Sequence, residues 1–144
     1  MTRIERSALV MHSAQQMYDV VNNVQFYPEF LPWCAASYIK QQSPTQMVAS
    51  LSLAKAGLKY DFTTRNTLDA PNSIDLVLEE GPFKHLQGQW HFTALSDEAC
   101  KVSLELDFSF PGKLTSMAMS KVFSQVAATM VDAFVNRADQ VYSN

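Results

Sequence analysis

Cys100-Lys101-Val102-Ser103-Leu104-Glu105-Leu106-Asp107-Phe108-Ser109-Phe110 alternates apolar and polar side chains without a break, and Pro111-Gly112 ends the run. Successive side chains of a strand point to opposite faces. The stretch therefore reads as a strand with one buried and one wetted face, as in an antiparallel sheet covered on one side. Everything after Pro111-Gly112 reads as one long helix. Leu114, Met117, Val122, Phe123, Val126, Met130, Phe134, Ala138 and Val141 form its apolar face, opposite Lys121, Gln125, Asp132, Asn136, Asp139 and Gln140. At ~1.5 Å per residue this helix reaches ~45 Å, enough to cross a sheet diagonally.

Working back from that strand, five more strand patterns occupy Ser37–Gln42, Gln46–Ala54, Lys59–Leu68, Ser73–Glu80 and Leu86–Leu95. They are separated by turn signals at Ser43-Pro44, Lys55-Ala56-Gly57, Pro71-Asn72 and Gly81-Pro82. Thr2–Val10 reads as a first strand. Ser13 with Gln16 three residues on is a capping box, opening a helix whose apolar stripe is Ala14, Met17, Tyr18, Val21 and Val24. Between that helix and the strands stands Phe26-Tyr27-Pro28-Glu29-Phe30-Leu31-Pro32-Trp33-Cys34. Each proline removes a backbone donor and restricts the residue before it, so no long helix runs through. The segment is a rigid, kinked, apolar element that either plugs the core or lines a pocket.

This order implies an α+β fold in which residues 1–144 make one domain: a curved antiparallel sheet around a long C-terminal helix. A curved sheet cannot touch a straight helix along its whole length. An apolar cavity between them, roofed by Phe26–Cys34, is the natural consequence.

Hydrophobic residues make up 47% of the chain and charged residues 17%, which marks a globular protein with much apolar surface to hide. A net charge of −3 argues against a general DNA or RNA binder, since phosphate binding needs clustered Lys and Arg. Cys34 and Cys100 show no metal or redox spacing. No signal peptide pattern is visible, and no apolar run approaches the ~18 residues that span a bilayer. The expectation is a cytoplasmic protein with two reduced thiols, for which transient contact with a membrane stays open.

Catalytic chemistry has little support. There is no nucleophile elbow, and the four glycines form no phosphate loop. His85 and His91 share strand parity but stand ~20 Å apart, and His12 sits at a corner, so a metal site is not expected. Glu79 and Glu80 point to opposite faces, while Glu105 and Asp107 lie on the wet face with Lys101. Asp61 and Arg65 decorate the outside of the sheet. Tyr60, Thr64, Asn66 and Trp90 share parity with apolar neighbours, so their donors either point into the cavity or satisfy one another.

Three stretches carry a resemblance: Val21-x-x-Val24-x-Phe26-Tyr27-Pro28-x-Phe30-Leu31-Pro32-x-Cys34, Gly81-Pro82-Phe83-x-x-Leu86-x-Gly88-x-Trp90-x-Phe92, and the terminal helix. Together with Lys55-Ala56-Gly57 and Phe62-Thr63-Thr64-Arg65-Asn66, the chain resembles from end to end the ubiquinone-binding and ribosome-association toxin (RatA) family of the START-like superfamily, also labelled polyketide cyclase/dehydrase. The resemblance implies a helix-grip, Bet v 1-like fold and an apolar cavity with ubiquinone as occupant. For the bacterial branch it implies association with the large ribosomal subunit, blocking subunit joining.

Two functions follow as expectations. The first is non-enzymatic binding of ubiquinone or another prenyl lipid in support of respiration, with no required cofactor. Its pocket would be lined by Phe26, Tyr27, Phe30, Leu31, Tyr60, Phe62, Asn66, Phe83, Trp90, Phe123, Val126 and Met130, with Phe26–Cys34 as lid. The second is an interaction protein that inhibits translation through Arg65, Lys84, His85, Lys113 and Lys121. A cyclase-like enzyme comes a distant third, because the expected lining holds no acid–base pair.

Overall fold

A computed structural model describes residues 1–142 of the chain, with the backbone alone at residue 115. The alternating patterns become seven strands: β1 (Thr2–Val10), β2 (Cys34–Gln42), β3 (Gln46–Lys55), β4 (Leu58–Asp69), β5 (Ser73–Glu80), β6 (His85–Ser96) and β7 (Ala99–Ser109). All neighbours pair antiparallel in the order β1-β7-β6-β5-β4-β3-β2. Cys100, Val102, Leu104, Leu106, Phe108 and Phe110 are all buried, on the concave face.

Helix α1 (Ala14–Asn22) opens with the expected reciprocal cap: Gln16 N–H donates to the Ser13 hydroxyl, and Ser13 N–H donates to the Gln16 side chain. It stops at Asn22 rather than running to Val24, because Val24–Phe26 tightens into a 3-10 turn. Tyr27–Phe30 then forms a one-turn helix, α2. Pro28 lies in its first turn, where a missing N–H costs nothing. Leu31, ahead of Pro32, is already extended and closes it.

The long helix α3 covers Leu114–Val141, and its expected continuation through 143–144 lies outside the described residues. It packs along β1 and β7 and against α1. Its buried stripe is Val122, Phe123, Val126, Ala127, Val131, Phe134 and Ala138. The expected apolar face needs correction at both ends, since Leu114, Met117 and Val141 are exposed. The sheet ends before the first turns of α3 do, so apolar spacing there finds nothing to cover it.

Pairing shifts register within β2–β3, β4–β5 and β6–β7. Such bulges bend a strand and increase its twist. The sheet thus curls away from α3 over β3 to β6, and the kinked element closes the gap.

Candidate ligand cavity

The gap is a cavity of about 70 Å³. Its wall takes Ala49 and Leu51 from β3, Phe62, Thr64 and Asn66 from β4, Ile74 and Leu76 from β5, Leu86 and Trp90 from β6, and Leu104 and Leu106 from β7. Helix α3 contributes Phe123, Val126 and Met130. Val21, Asn22, Val24, Tyr27 and Trp33 close the remaining side. An engineered cavity of ~150 Å³ holds one benzene ring, so in this closed form a ring-sized ligand enters only when a wall moves.

Of the twelve residues expected to line the site, Tyr27, Phe62, Asn66, Trp90, Phe123, Val126 and Met130 reach the wall. Five do not. Tyr27 and Leu31 face inward one helical turn apart, which carries Phe26 to the outside and leaves Phe30 half-buried, edge-on to Phe134 at 5.5 Å. Phe26 is 39% exposed and lies with Phe30 in a surface groove beside Arg137 and Val141. Leu31 is buried in the core but behind the wall. Tyr60 and Phe83 sit one layer away, in an aromatic cluster where Phe83 stacks on Phe110 at 4.4 Å and meets Phe123 edge-on at 4.9 Å.

The roof is anchored rather than loose. The Tyr27 hydroxyl donates to the Val21 carbonyl, one of the orphan carbonyls at the end of α1. Arg137 of α3 lies over the Phe30 ring at 5.0 Å and pairs with Glu29 at 3.3 Å. The Trp33 carbonyl accepts from Ala54 N–H of β3 at 2.9 Å.

Three polar side chains interrupt the apolar wall. Thr64 donates its hydroxyl to the Asn66 side-chain oxygen at 2.8 Å, and Asn66 is 6% exposed. Asn22 presents a buried oxygen with no hydrogen-bond partner among the described residues, and the Tyr60 hydroxyl in the adjoining cluster has none either. Burial raises the Tyr27 and Tyr60 hydroxyls well above the usual phenol range, so both stay neutral donors. The wall can therefore hold a mostly apolar molecule and offer side-chain hydrogen bonds to a few of its oxygens.

Thr64, Leu51, Leu76, Leu86, Leu104 and Leu106 also line the wall, and strand parity is the signal that marks them. Asn22 carried no signal, because its place on the wall depends on where α1 stops. The expected ribosome contacts do not form one patch: Arg65 lies on the convex face, held by Glu79 at 3.0 Å. Lys84 and His85 adjoin the end of β7 at Ser109, Lys113 caps the start of α3, and Lys121 lies two turns into that helix.

A family model described as polyketide cyclase/dehydrase and lipid transport matches residues 10–135. The chain belongs to this family. Among its relatives, the ribosome association toxin RatA of Escherichia coli K12 is 51% identical over 143 residues, covering 99% of this chain and 90% of that protein. The mitochondrial coenzyme Q-binding protein COQ10 homolog B of Xenopus laevis is 30% identical, covering 97% of this chain and 60% of that protein. The fold recurs in the Zhui aromatase/cyclase of Streptomyces sp. R1128, with a TM-score of 0.86 at 19% identity over 99% and 96% of the two chains. It recurs also in a START superfamily protein of Mycobacterium smegmatis, with a TM-score of 0.82 at 19% identity over 96% and 98%. As a member of the polyketide cyclase/dehydrase and lipid transport family, the chain has the START-like helix-grip fold.

Proposed function

We propose that this protein is a non-enzymatic binder of an amphipathic apolar ligand of the prenylated-quinone class. The observation that carries the reading is the cavity wall, apolar throughout except for Asn22, Thr64 and Asn66. A quinone ring brings carbonyl oxygens that accept from the side-chain amide N–H groups of Asn22 and Asn66, and its tail brings hydrocarbon. Burying one large apolar side chain contributes ~1.5–3 kcal/mol, and each isoprenoid unit is comparable. The coenzyme Q-binding relative is named for a ligand of this class.

Organic extraction of the purified protein followed by mass spectrometry tests the reading. The expected result is one prenylated quinone per chain, absent from a Val126→Phe variant whose added ring fills the cavity. An empty wild-type protein that also refuses added decylubiquinone would overturn it.

A second reading rests on the toxin relatives, whose identity of about half extends over the whole chain. We propose that the protein also acts on ribosomes, holding large subunits apart from small ones. Purified protein added to ribosomes at low magnesium concentration should shift sedimentation from joined to separate subunits and itself travel with the large one. An unchanged profile removes this reading and leaves the first untouched.

A further inference from the structure

We infer that the N-terminal tip of α3 is a docking surface for an anionic lipid bilayer, through which the cavity exchanges its ligand. The inference rests on the lipid-binding reading above. Leu114 and Met117 are 85% and 73% exposed. Three residues apart on a helix, they share one face, and Ala118 beside them is exposed too.

Lys113 and Lys121 flank that face. Lys84 lies on the neighbouring loop, whose backbone N–H at Lys84 donates to the Ser109 carbonyl at 2.8 Å. All three lysines are exposed, and none enters an ion pair among the described residues. Residues 81–96 and 108–131 contain no Asp or Glu. In a chain of net charge −3, this tip is therefore locally cationic.

An apolar anchor ringed by exposed lysines matches an anionic bilayer. The apolar side chains enter the acyl boundary, and the lysine stems lie along it with their ammonium groups among the phosphates. A nucleic-acid backbone would engage the same lysines but would leave Leu114 and Met117 in water.

Behind the tip stands one layer of rings. Phe123 and Phe62 wall the cavity on one side and join the Phe83–Phe110 stack on the other. Gly112, at φ +83°, forms the joint between Phe110 and α3, and a Cβ there would meet nothing within 4 Å. The roof, by contrast, is held by Tyr27, Glu29 and Arg137. Exchange through the tip has to part ring contacts alone, whereas exchange through the roof has to break the Tyr27 hydrogen bond and the Glu29–Arg137 ion pair.

Flotation with vesicles tests this. Wild-type protein should bind vesicles of equal parts phosphatidylglycerol and phosphatidylcholine about tenfold more tightly than pure phosphatidylcholine, since each lysine near an anionic surface adds attraction. Leu114→Ser/Met117→Ser and, separately, Lys84→Glu/Lys113→Glu/Lys121→Glu should remove that preference, with circular dichroism unchanged. Decylubiquinone supplied in detergent should still fill the double-serine variant by native mass spectrometry. Its transfer to the anionic vesicles should slow about tenfold as surface residence is lost.

Wild-type protein with no preference for anionic vesicles overturns the inference, as does a double-serine variant that docks like wild type. Lysine reversals that abolish binding to large ribosomal subunits yet leave vesicle binding intact overturn it too. Docking that needs Leu114 and Met117 while decylubiquinone never enters the cavity upholds the surface, and makes the lipid-binding reading the one that fails.

Discussion

The Tyr27 ring meets Phe134 edge-on with centroids 5.2 Å apart, which fastens the kinked element after α1 to the C-terminal half of α3. The same residue closes α1 through its hydroxyl bond to Val21. Removing the hydroxyl alone should cost about 1 kcal/mol, the net value of a buried hydrogen bond. Removing the ring should cost roughly 3–5 kcal/mol, as for other buried aromatics cut to alanine. Urea unfolding of Tyr27→Phe and Tyr27→Ala will separate the two, and the alanine variant should also release bound ligand faster.

Thr64 and Asn66 form a hydrogen-bonded pair on an apolar wall, and breaking it from one side differs from removing it whole. Thr64→Val leaves the Asn66 oxygen without its donor and should cost about 1–3 kcal/mol. Thr64→Val/Asn66→Leu removes both partners and should restore most of that loss. The double variant should also lose its preference for decylubiquinone over squalene, a prenyl hydrocarbon without oxygens. Thermal unfolding with a competition assay reads both effects, and a double variant that still discriminates would move head-group recognition elsewhere.

Gly88 allows Leu106 its place on the cavity wall. A Cβ at Gly88 would lie 2.3 Å from the Leu106 Cδ2 and 2.9 Å from the Glu105 carbonyl oxygen. Gly88→Ala should therefore push Leu106 into the cavity, at roughly 1–3 kcal/mol for an overpacked site. Ligand uptake should fall, and adding Leu106→Val should recover part of both stability and uptake.

Burial pushes the Cys34 thiol up to about 11 from an ordinary 9.0. A raised thiol pKa means that the folded chain holds its proton over a range where the unfolded chain has released it. The folded state binds more protons there, so stability falls as pH rises. This contribution should be fully present below pH 9 and lost as pH climbs towards 11. Urea midpoints measured across that window should decline less in Cys34→Ala than in wild type. Alkylation of Cys34 at neutral pH should be slow, because the thiolate is the reactive form.

Much of the fold was legible because its signals are local. Thr2–Val10 and Ser73–Glu80 have the limits that their alternation implied, and the Ser13–Gln16 cap forms as the capping box requires. The other strands extend one to three residues beyond their patterns at one end or both, or shift by one, since pairing continues where side-chain alternation has faded. At the terminal helix, apolar spacing marked Leu114 and Met117 as buried. Spacing records which residues share a face, and cannot record where the covering sheet stops.

The candidate site was legible on the strands and on α3, where Phe123, Val126 and Met130 line the wall, and least so in the kinked element. Phe62, Asn66 and Trp90 follow from parity, because a strand side chain has two faces to choose from. Phe26, Phe30 and Leu31 were misplaced because a one-turn helix sets direction by phase, which prolines announce but do not specify. Tyr60 shares parity with the wall residues of β4, and Phe83 stands in the loop before β6, yet both lie past the point where Phe123 seals the cavity.

The sequence by itself determined the order of elements, the antiparallel sheet, the capped first helix and the likeness to a START-like family. Each of these depends on period-two or period-3.6 patterning and on turn residues that act within a few positions. Tertiary structure alone decided the curl of the sheet at its register shifts, the 70 Å³ left between sheet and helix, and the presence of Asn22, Thr64 and Asn66 around one cavity. It also left Leu114 and Met117 in the open beside lysines that enter no ion pair among the described residues. Those outcomes depend on how far two surfaces approach each other, and a pattern along one chain carries no measure of that distance.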